Sequence, residues 1–417
     1  MSTHSASAYD VIVVGARAAG AAVALLLARH GVRVLIVERA ERGTDTLSTH
    51  ALMRGAVLLL HRWGVLPAVV AAGTPPIRET VFDYGDASVR VAITARDGVD
   101  ALFAPRRFVL DRLLADAAHE AGADIAYGQR VVGLITTASG RVAGVEAIQR
   151  DGARRRITAG LVIGADGLRS SVARLTGART YRMAAHASAA IYAYWPSERV
   201  STVDGYRWLW GDGATAGVIP TNGGEACVFV SCPDHQFNRI RGLSTQAVYA
   251  QLLAQVAPAL AREMPPSLRL QSFSGQPGFF RQSWGPGWAL VGDAGYFKDP
   301  ITAHGITDAL KDAALLSAAV VRGGRDGDLA AYQATRDRLS SEVFDLSARI
   351  AAFEWTHTTV GALHEALSRA MSAEVKAIAA WPASLASLDA AGGDELPTTG
   401  STTGAAAGAD LVLSQQL

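Results

Sequence analysis

The segment from residue 9 to Glu38 restricts the chain to a small number of folds. Residues 9–14 form a continuous apolar run, which is typical of a strand buried on both faces of a parallel sheet. The turn GARAAG at residues 15–20 leads into an Ala/Leu-rich helix that stops at a glycine. A second apolar run, residues 32–37, ends at Glu38. This order predicts a βαβ unit and therefore a fold built around a parallel sheet.

The glycines of this turn match part of a nucleotide-binding pattern. In a dinucleotide-binding turn the first glycine makes the bend, the second lets a pyrophosphate approach, and the third packs helix on strand. Gly15 and Gly20 stand at the first and third positions, but Arg17 stands at the second. Its side chain must swing away from a pyrophosphate or lie along it as a counter-ion. Glu38 can accept hydrogen bonds from both hydroxyls of a ribose. A glycine-bearing helix start in another α/β fold is the alternative.

A second informative segment is WALVGDAGYFKDPITAHGITDA, residues 288–309. It predicts a buried strand, a Gly-Asp turn, a Pro-Gly loop and the N-terminus of an apolar helix. The carboxylate of Asp293 and the free N–H groups near Gly305 therefore come to one place. A flavin dinucleotide needs both, because its ribityl chain needs acceptors and its reduced ring is negative near N1 and O2. Taken alone, the segment could also be an ordinary strand, turn and helix.

A third apolar strand ends in an acidic turn, GADG at residues 164–167. Period-two alternation over residues 80–96 and 191–232 predicts a separate antiparallel sheet. In this order the three turns resemble those of the class A flavoprotein monooxygenases, the para-hydroxybenzoate hydroxylase-like family, over roughly residues 9–350. The resemblance implies an α/β fold in which a Rossmann-like FAD-binding domain is interleaved with an antiparallel-sheet substrate domain and followed by a helical C-terminal part.

Composition and the resemblance together divide the chain into parts. After residue 388 the sequence is rich in Gly, Thr, Ser and Ala, which is typical of a flexible tail. The predicted parts are an FAD-binding domain (8–182 and 276–330, with 79–97 contributing strands to the substrate sheet), a substrate domain (183–275), C-terminal helices (331–388) and the tail (389–417).

Carried over residue by residue, the resemblance implies FAD contacts spread along the chain. The alternatives are a surface helix arginine for Arg107, an N-cap or a loop contact for His50 and a brace of its own turn for Asp166. At the adenylate half the implied contacts are Gly15, Arg17 and Gly20 at the pyrophosphate, Glu38 at the adenosine ribose and Arg39 beside the adenine. Ser48, Thr49 and His50 are implied near the ribityl chain or flavin edge, Arg107 at the phosphates or ribityl chain, and Asp166 and Gly167 at FAD and the nicotinamide cofactor. At the flavin half they are Asp293 at the ribityl hydroxyls, Pro300 against the isoalloxazine, and the N–H groups of Ile306 and Thr307, in the helix opened by Gly305, at flavin O2 and N1.

The resemblance also implies a reaction. NADH or NADPH reduces FAD, the reduced flavin takes up O2, and a C4a-hydroperoxide hydroxylates or epoxidises a small organic molecule. The helix dipole at Gly305 would stabilise the anionic reduced flavin by about 0.3–2 kcal/mol. Aromatic residues on the second sheet suit an aromatic or polycyclic substrate, although such positions also build cores. His50 is the candidate catalytic base for a phenolic substrate. The candidate pocket residues are Tyr192, Tyr194, Trp208, Trp210, Pro220, Phe280 and Arg281.

Three other functions remain open as alternatives to monooxygenation. A flavin-dependent halogenase or a geranylgeranyl-reductase-like enzyme could use the same scaffold. The WLW triplet at residues 208–210 is similar to a halogenase signature, but its Ile-Pro comes nine residues later, and no lysine precedes Lys298. A non-catalytic flavin-binding protein is the third. The sequence leaves open whether a separate flavin reductase takes part, which nicotinamide is used, and the oligomeric state.

Charge and hydropathy exclude other classes of partner. Lys+Arg 39 against Asp+Glu 38 gives a net charge of +1, so no strong field attracts nucleic acid. Cys227 and Cys232 match no metal-binding spacing and predict buried free thiols. The first residues lack the pattern of a secretory signal, and the longest apolar run, 18–28, is too short to cross a bilayer. We therefore expect a cytoplasmic protein without a metal site or a membrane span.

Overall fold

The computed structural model describes residues 9–382 except for 201–204 and 241. The tail predicted for residues 389–417 lies outside the described residues. The strands, in chain order, are β1 (Tyr9–Val14), β2 (Val34–Val37), β3 (Glu79–Asp83), β4 (Ser88–Ala92), β5 (Asp124–Ala126), β6 (Arg130–Thr136), β7 (Val142–Ile148), β8 (Arg154–Gly164), β9 (Thr180–Met183), β10 (Ser188–Pro196), β11 (Gly205–Gly211), β12 (Ala214–Thr221), β13 (Glu225–Pro233), β14 (Gln271–Phe273), β15 (Phe279–Arg281), β16 (Trp284–Gly285), β17 (Trp288–Leu290) and β18 (Tyr296–Phe297). The helices are α1 (Ala18–Arg29), α2 (Arg54–Arg62), α3 (Leu66–Ala71), α4 (Arg107–Glu120), α5 (Ser171–Thr176), α6 (Asp234–Ile240), α7 (Thr245–Val256), α8 (Pro258–Arg262), α9 (Gly305–Val321), α10 (Asp326–Ala351) and α11 (His357–Ala379).

The first sheet contains the three predicted buried strands side by side. Its strand order is β16-β17-β8-β1-β2-β5, and the β6–β7 hairpin extends from β8. β1 pairs in parallel with β2 and with β8, and β17 pairs in parallel with β8. All residues of β2 and β17 are buried, as the apolar runs predict for strands covered on both faces. The predicted α/β fold class is confirmed.

Helices α1, α4 and α9 cover one face of this sheet. α1 consists almost entirely of buried small and aliphatic residues, so it can lie between α4 and α9 at close range. A Cβ atom on Gly292, just after β17, would stand 3.1 Å from the Cβ of Ala19. The other face packs against α5 and the β6–β7 hairpin through Val145, Ala147 and Val172. This close packing holds the end of β17 against the start of α1.

The second sheet has seven strands in the order β14-β10-β13-β12-β11-β3-β4. It is antiparallel except where β3 pairs in parallel with β11. Side chains alternate between its two faces, as period-two sequences require. Ile191, Ala193 and Trp195 pack on the side of α7, whereas Tyr192 and the aromatic residues of β11 belong to the core shared with the first sheet. The sheet therefore turns an aromatic face toward the first sheet and its helices.

Two smaller units complete the structure. β9, β15 and β18 form a three-stranded sheet, and α10 and α11 pack on each other and on α9 and α2 respectively. The sequence predicted helices in this C-terminal part but not the start of α10 at Asp326 or the bounds of α2, α7 and α11. Among the described residues no helix is long and apolar enough to cross a membrane. The domain limits given above stay a prediction.

Candidate functional site

The three turns singled out in the sequence converge at one edge of the first sheet. The N–H of Ala165 donates to the carbonyl of Val14 at 2.8 Å, and the N–H of Val291 donates to the carbonyl of Gly164 at 3.0 Å. β1, β8 and β17 therefore end side by side. In open parallel sheets ligands bind beyond these carboxyl ends. The edge at which the three turns meet is the candidate site.

Gly15 and Gly20 allow a very tight first turn. Gly15 has φ +108°, and a Cβ there would lie 2.6 Å from the carbonyl oxygen of Ala165. A Cβ on Gly20 would lie 1.9 Å from the carbonyl oxygen of Gly15. Neither position can hold a larger residue without a shift of backbone, so both glycines serve the bend and the packing of α1 on β1.

Glu38 lies at the end of β2, beside a polar cavity. Its carboxylate accepts hydrogen bonds from the N–H groups of Ala16 at 2.7 Å and Ala40 at 2.8 Å. Arg39 is exposed and does not line the cavity. The cavity opens to solvent, its free space together with that solvent is about 320 Å³, and its lining includes Arg17, Glu38, Glu41, Asp111, Arg112 and Tyr127. The cavity thus brings three carboxylates, a tyrosine and two arginines together at the end of β2.

The side chain of Arg17 is bound by neighbouring groups of the protein. Its guanidinium donates to the carboxylate of Asp111 and to the carbonyl of Asp45, each at 3.3 Å. Arg107 donates to the same carboxylate at 3.0 Å, and the N–H of Ala18 donates to it at 3.1 Å. Two arginines thus share one acidic group at the N-terminus of α1. Sequence reasoning missed Asp111, although the Arg-x-x-x-Asp spacing at the start of α4 could have indicated an i,i+4 pair.

Asp166 braces its own turn. Its carboxylate accepts from the hydroxyl of Ser170 at 2.5 Å and from the N–H and hydroxyl of Ser171, each at 2.6 Å. The carboxylate therefore caps the N-terminus of α5. Gly167 follows with φ +77°, a conformation that favours glycine. This geometry is the structural alternative raised for Asp166 in the sequence.

Asp293 and the start of α9 face each other across the third turn. Burial raises the pKa of Asp293 to about 6, while Arg107 and Lys298 oppose the shift. Pro300 is exposed and opens a short turn that leads to His304, the N-cap of α9. The first N–H of the helix with a helical partner is that of Asp308, which bonds His304. The preceding N–H groups, those of Ile306 and Thr307 among them, lie in the part of a helix that lacks such partners.

A buried ionic cluster lies behind this helix start. His304 Nε2 is 2.6 Å from the carboxylate of Glu374, and Lys311 donates to Glu374 at 2.5 Å and to Asp308 at 2.8 Å. Lys298 pairs with Asp308 as well. His304, Asp308 and Glu374 are close enough to bind a metal ion. The two lysines already supply the positive charge there, so the donor set does not favour a cation.

His50 is held between the two sheets. Its Nδ1 is 3.1 Å from the carbonyl of Ala104, and its Nε2 is 3.1 Å from the hydroxyl of Tyr194, whose ring stacks on the imidazole. Arg106 lies 3.4 Å above the Tyr194 ring. Burial, with Arg106 and Arg107 next, lowers the pKa of His50 to about 3. The imidazole is therefore neutral: Nδ1–H donates to the carbonyl and Nε2 accepts from the tyrosine.

The loop before His50 also reaches the second sheet. The N–H of Ser48 donates to the hydroxyl of Tyr192 at 3.0 Å, and the N–H of His50 donates to the hydroxyl of Ser48 at 3.0 Å. Thr49 lies between these two bonded residues and is half-buried. The predicted residues 48–50, Tyr192 and Tyr194 are thus brought into one hydrogen-bonded group.

A large cleft lies between the aromatic face of the second sheet and the start of α9. Its free space, counted together with the solvent at its mouth, is about 950 Å³, and its lining is predominantly apolar. Trp208 and Trp210 line it, as predicted for pocket residues, whereas Tyr192, Tyr194 and His50 do not. The opposite wall comes from α11, which the sequence did not assign to the site. The lining includes Phe82, Leu102, Tyr206, Trp208, Trp210, Ile301, His304, His364, Leu367, Met371 and Val375.

The remaining predicted pocket residues lie elsewhere. Phe280 packs with Tyr296 and Phe344 in a separate aromatic cluster on the three-stranded sheet. Arg281 donates to the carbonyl of Ala294 at 2.7 Å. Pro220 pairs with Ala226 in β12 and β13 and is half-buried. None of these three lines the cleft.

The fold and the three converging turns define a dinucleotide-binding flavoprotein. The family model for the FAD-binding domain matches residues 8–347, so the chain belongs to this family of FAD-dependent, monooxygenase-like flavoproteins. It is an FAD-dependent oxidoreductase, as predicted. The resemblance to the class A monooxygenases is confirmed at this level.

Known proteins of this fold differ in what they do. The chain is 26% identical to digeranylgeranylglycerophospholipid reductase 1 of Methanococcoides burtonii over 80% of this chain and 77% of that protein. It is similar in structure to a flavin-dependent brominase (TM-score 0.74, 19% identity, 90% of this chain and 96% of that one). It is also similar to a probable FAD-dependent monooxygenase from Pseudomonas aeruginosa (TM-score 0.72, 21% identity, 86% and 99%). At these identities the structural likeness shows the fold alone.

Proposed function

We propose that the protein is a monooxygenase that uses FAD, NAD(P)H and O2 to hydroxylate or epoxidise a small aromatic or polycyclic molecule. The observation that carries the proposal is the large cleft beside the start of α9. Its walls are apolar, and Tyr206, Trp208 and Trp210 present rings to it. Such walls bind flat ring systems by burial and by stacking.

The residues at the converging turns fit FAD. Gly15 and Gly20 leave no side chain between the backbone and a pyrophosphate. Glu38 borders the adjacent polar cavity, where its carboxylate can accept from ribose hydroxyls. Arg17 and Arg107 share Asp111 and keep further N–H donors for phosphate oxygens. The adenylate half of FAD would lie along this edge.

The flavin half would lie between the third turn and the cleft. Asp293 offers an acceptor for the ribityl hydroxyls, and the N-terminus of α9 offers N–H donors and the positive end of its dipole. Thr307 Oγ1 is buried and has no partner within the described residues, which fits a group supplied by the cofactor. When bound, FAD supplies hydride acceptance and oxygen activation. The chain holds the ring, supplies dipoles and excludes water from the apolar cleft.

We assign His50 a positioning role. With its pKa at about 3 it stays neutral at physiological pH, and its Nε2 accepts from the Tyr194 hydroxyl. A neutral imidazole in this place fixes the orientation of that hydroxyl. It is a poor base for a phenolic substrate, and it does not line the cleft. The role predicted for Asp166 and Gly167 in nicotinamide binding stays a prediction.

Reduction of an isoprenoid double bond is the second candidate. The reductase from Methanococcoides burtonii aligns with 80% of this chain, and an apolar cleft also fits an isoprenoid chain. Halogenation has less support. None of the cleft-lining residues is a lysine, and of the three lysines in the chain Lys298 and Lys311 are buried in ion pairs.

The test begins with the purified protein and its visible spectrum. The proposal predicts bound yellow FAD, and NAD(P)H oxidation with O2 uptake that ring compounds stimulate. Rates should not depend on chloride or bromide, since a halogenase would need them. Supply of a separate flavin reductase distinguishes external from internal reduction. Saturation of an isoprenoid quinone by chemically reduced enzyme without O2, together with no oxygen transfer to any ring compound, would replace the proposal with the reductase.

A further inference from the structure

The cleft wall contains two buried nitrogen atoms that have no hydrogen-bond partner. They are Trp210 Nε1 and His364 Nε2, and both residues line the cleft; no partner for either is found within the described residues. Their rings are adjacent, with centroids 4.2 Å apart. Native proteins bury few polar atoms without partners, because each loses its bonds to water. Both nitrogens are fully buried, so a ligand group reaches them only when the two rings turn toward the cleft. Two unpartnered polar atoms on adjacent rings of the cleft wall point to a ligand group that completes them there.

The hydrogen bond between Tyr84 and His364 determines which ring nitrogen of His364 carries the hydrogen. The Tyr84 hydroxyl lies 2.8 Å from His364 Nδ1. Burial raises the pKa of Tyr84 above its ordinary value, so the hydroxyl keeps its proton. Among the described residues the hydroxyl has no other acceptor, so it donates to Nδ1. Burial also lowers the pKa of His364 to about 3, so the ring is neutral and its one hydrogen is on Nε2.

Both orphaned nitrogens are therefore donors. The indole nitrogen of Trp210 can only donate, and His364 Nε2 carries its hydrogen for the reason above. We propose that this donor pair, Trp210 Nε1–H and His364 Nε2–H, binds an acceptor oxygen of the ligand. The inference rests on the proposed function and names the polar group its substrate carries. That group is a carbonyl or phenolic oxygen on an uncharged polycyclic skeleton.

The charged residues at the cleft support an uncharged ligand. Arg54 donates to the carbonyl groups of Val99 and Thr94 at 3.2 and 2.7 Å. Arg96 pairs with Asp97 at 3.4 Å. Arg54 is thus engaged by backbone carbonyls, whereas Arg96 holds a half-exposed ion pair at the mouth of the cleft. A neutral ring system leaves the bonds of Arg54 in place and meets the mostly apolar walls and the donor pair.

Three ligands of one shape test whether the cleft binds an acceptor, a donor or only an apolar ring system. Fluorenone carries a carbonyl acceptor, fluorene carries no polar group, and carbazole carries an N–H donor at the same position. The probes are dialysed to equilibrium against the FAD-loaded protein. We expect fluorenone to bind about tenfold more tightly than either of the others, since two ordinary hydrogen bonds together give roughly that factor.

Single-residue variants test whether the donor pair causes the preference for fluorenone. His364→Phe keeps a ring but removes one of the two donors, so fluorenone binding should weaken about threefold and fluorene binding should change by less than about 1.5-fold. Tyr84→Phe removes the hydrogen bond that keeps the hydrogen of His364 on Nε2. The ring can then also accept at Nε2, so the preference for fluorenone over carbazole should shrink. His357→Phe is the matched control, because His357 is on the same helix, α11, but does not line the cleft. Retained flavin absorbance shows that each variant is folded; if His364→Phe loses it, Trp210→Phe takes its place.

The outcomes separate this inference from the proposed function. Equal binding of the three probes, or tightest binding of carbazole, overturns the donor pair while ring-stimulated oxygen uptake still supports the monooxygenase. An unchanged fluorenone preference in the folded His364 and Trp210 variants overturns the donor pair as well. If no ring compound binds and none stimulates NAD(P)H oxidation, both proposals fall.

Discussion

Replacement of Asp293 by Asn should stabilise the FAD-free protein while weakening FAD binding. Burial raises the pKa of Asp293 from 3.8 to about 6. One pKa unit corresponds to about 1.36 kcal/mol, so the ionised carboxylate lowers the free energy of unfolding by about 3 kcal/mol. The neutral, nearly isosteric amide removes this penalty. It also removes an anionic acceptor for the ribityl hydroxyls.

The sign follows from proton linkage. Between pH 3.8 and about 6 the folded state holds a proton that the unfolded state has lost, so this group makes stability fall as the pH rises through that window. The penalty is complete at pH 7 and fades as the pH falls from about 6 through 3.8. The difference in unfolding free energy between Asp293→Asn and wild type should therefore grow by about 2–3 kcal/mol from pH 4 to pH 7.

Urea unfolding of FAD-free protein at several pH values measures this difference, and titration with FAD measures affinity. With saturating FAD the wild type should become more stable than Asp293→Asn, because FAD binding raises the free energy of unfolding of the wild type more. Asp86→Asn, at an exposed position, is the control and should show neither effect. A pH-independent difference would refute the raised pKa. Unchanged FAD affinity would refute the ribityl contact.

Three further predictions concern single residues. Glu38→Gln should weaken FAD binding about tenfold, measured by fluorescence titration, since a neutral amide is a poorer acceptor for two hydroxyls; equal affinity would place the ribose elsewhere. Gly20→Ala should destabilise the protein by about 1–3 kcal/mol or more in urea unfolding, since its Cβ would lie 1.9 Å from a carbonyl oxygen, whereas Gly327→Ala, with open space around it, should not. Cys227 is fully buried and burial raises its pKa, so iodoacetamide at pH 8 should label it in mass spectrometry only after unfolding.

The first sheet could be predicted from the sequence because its strands are buried on both faces. Continuous apolar runs such as those of β1 and β2 leave few other interpretations, and a Gly turn at a strand end marks the carboxyl edge. The convergence of three such turns followed from their being parallel neighbours. Asp293 and Glu38 were found in this way.

The cleft could not be predicted in the same detail. Period-two alternation says that Trp208 and Trp210 share a face, but not what lies opposite. The opposite wall is α11, whose residues His364 and Met371 are far from any motif in the sequence. Phe280 lies shortly before the Gly-Asp strand in the sequence, yet it belongs to the three-stranded sheet. Such contacts depend on tertiary packing and leave no local signal.

The position of β17 has a consequence for synthesis of the protein. β17 pairs with β8, but the whole seven-stranded sheet except β3 and β4 is encoded between them. A chain emerging from a ribosome therefore exposes the open edge of β8 until more than a hundred further residues have been made. The first sheet and its helix α9 can close only after that, so FAD can bind only once α9 has been made. Truncated chains that end before β17 should be prone to aggregation for the same reason.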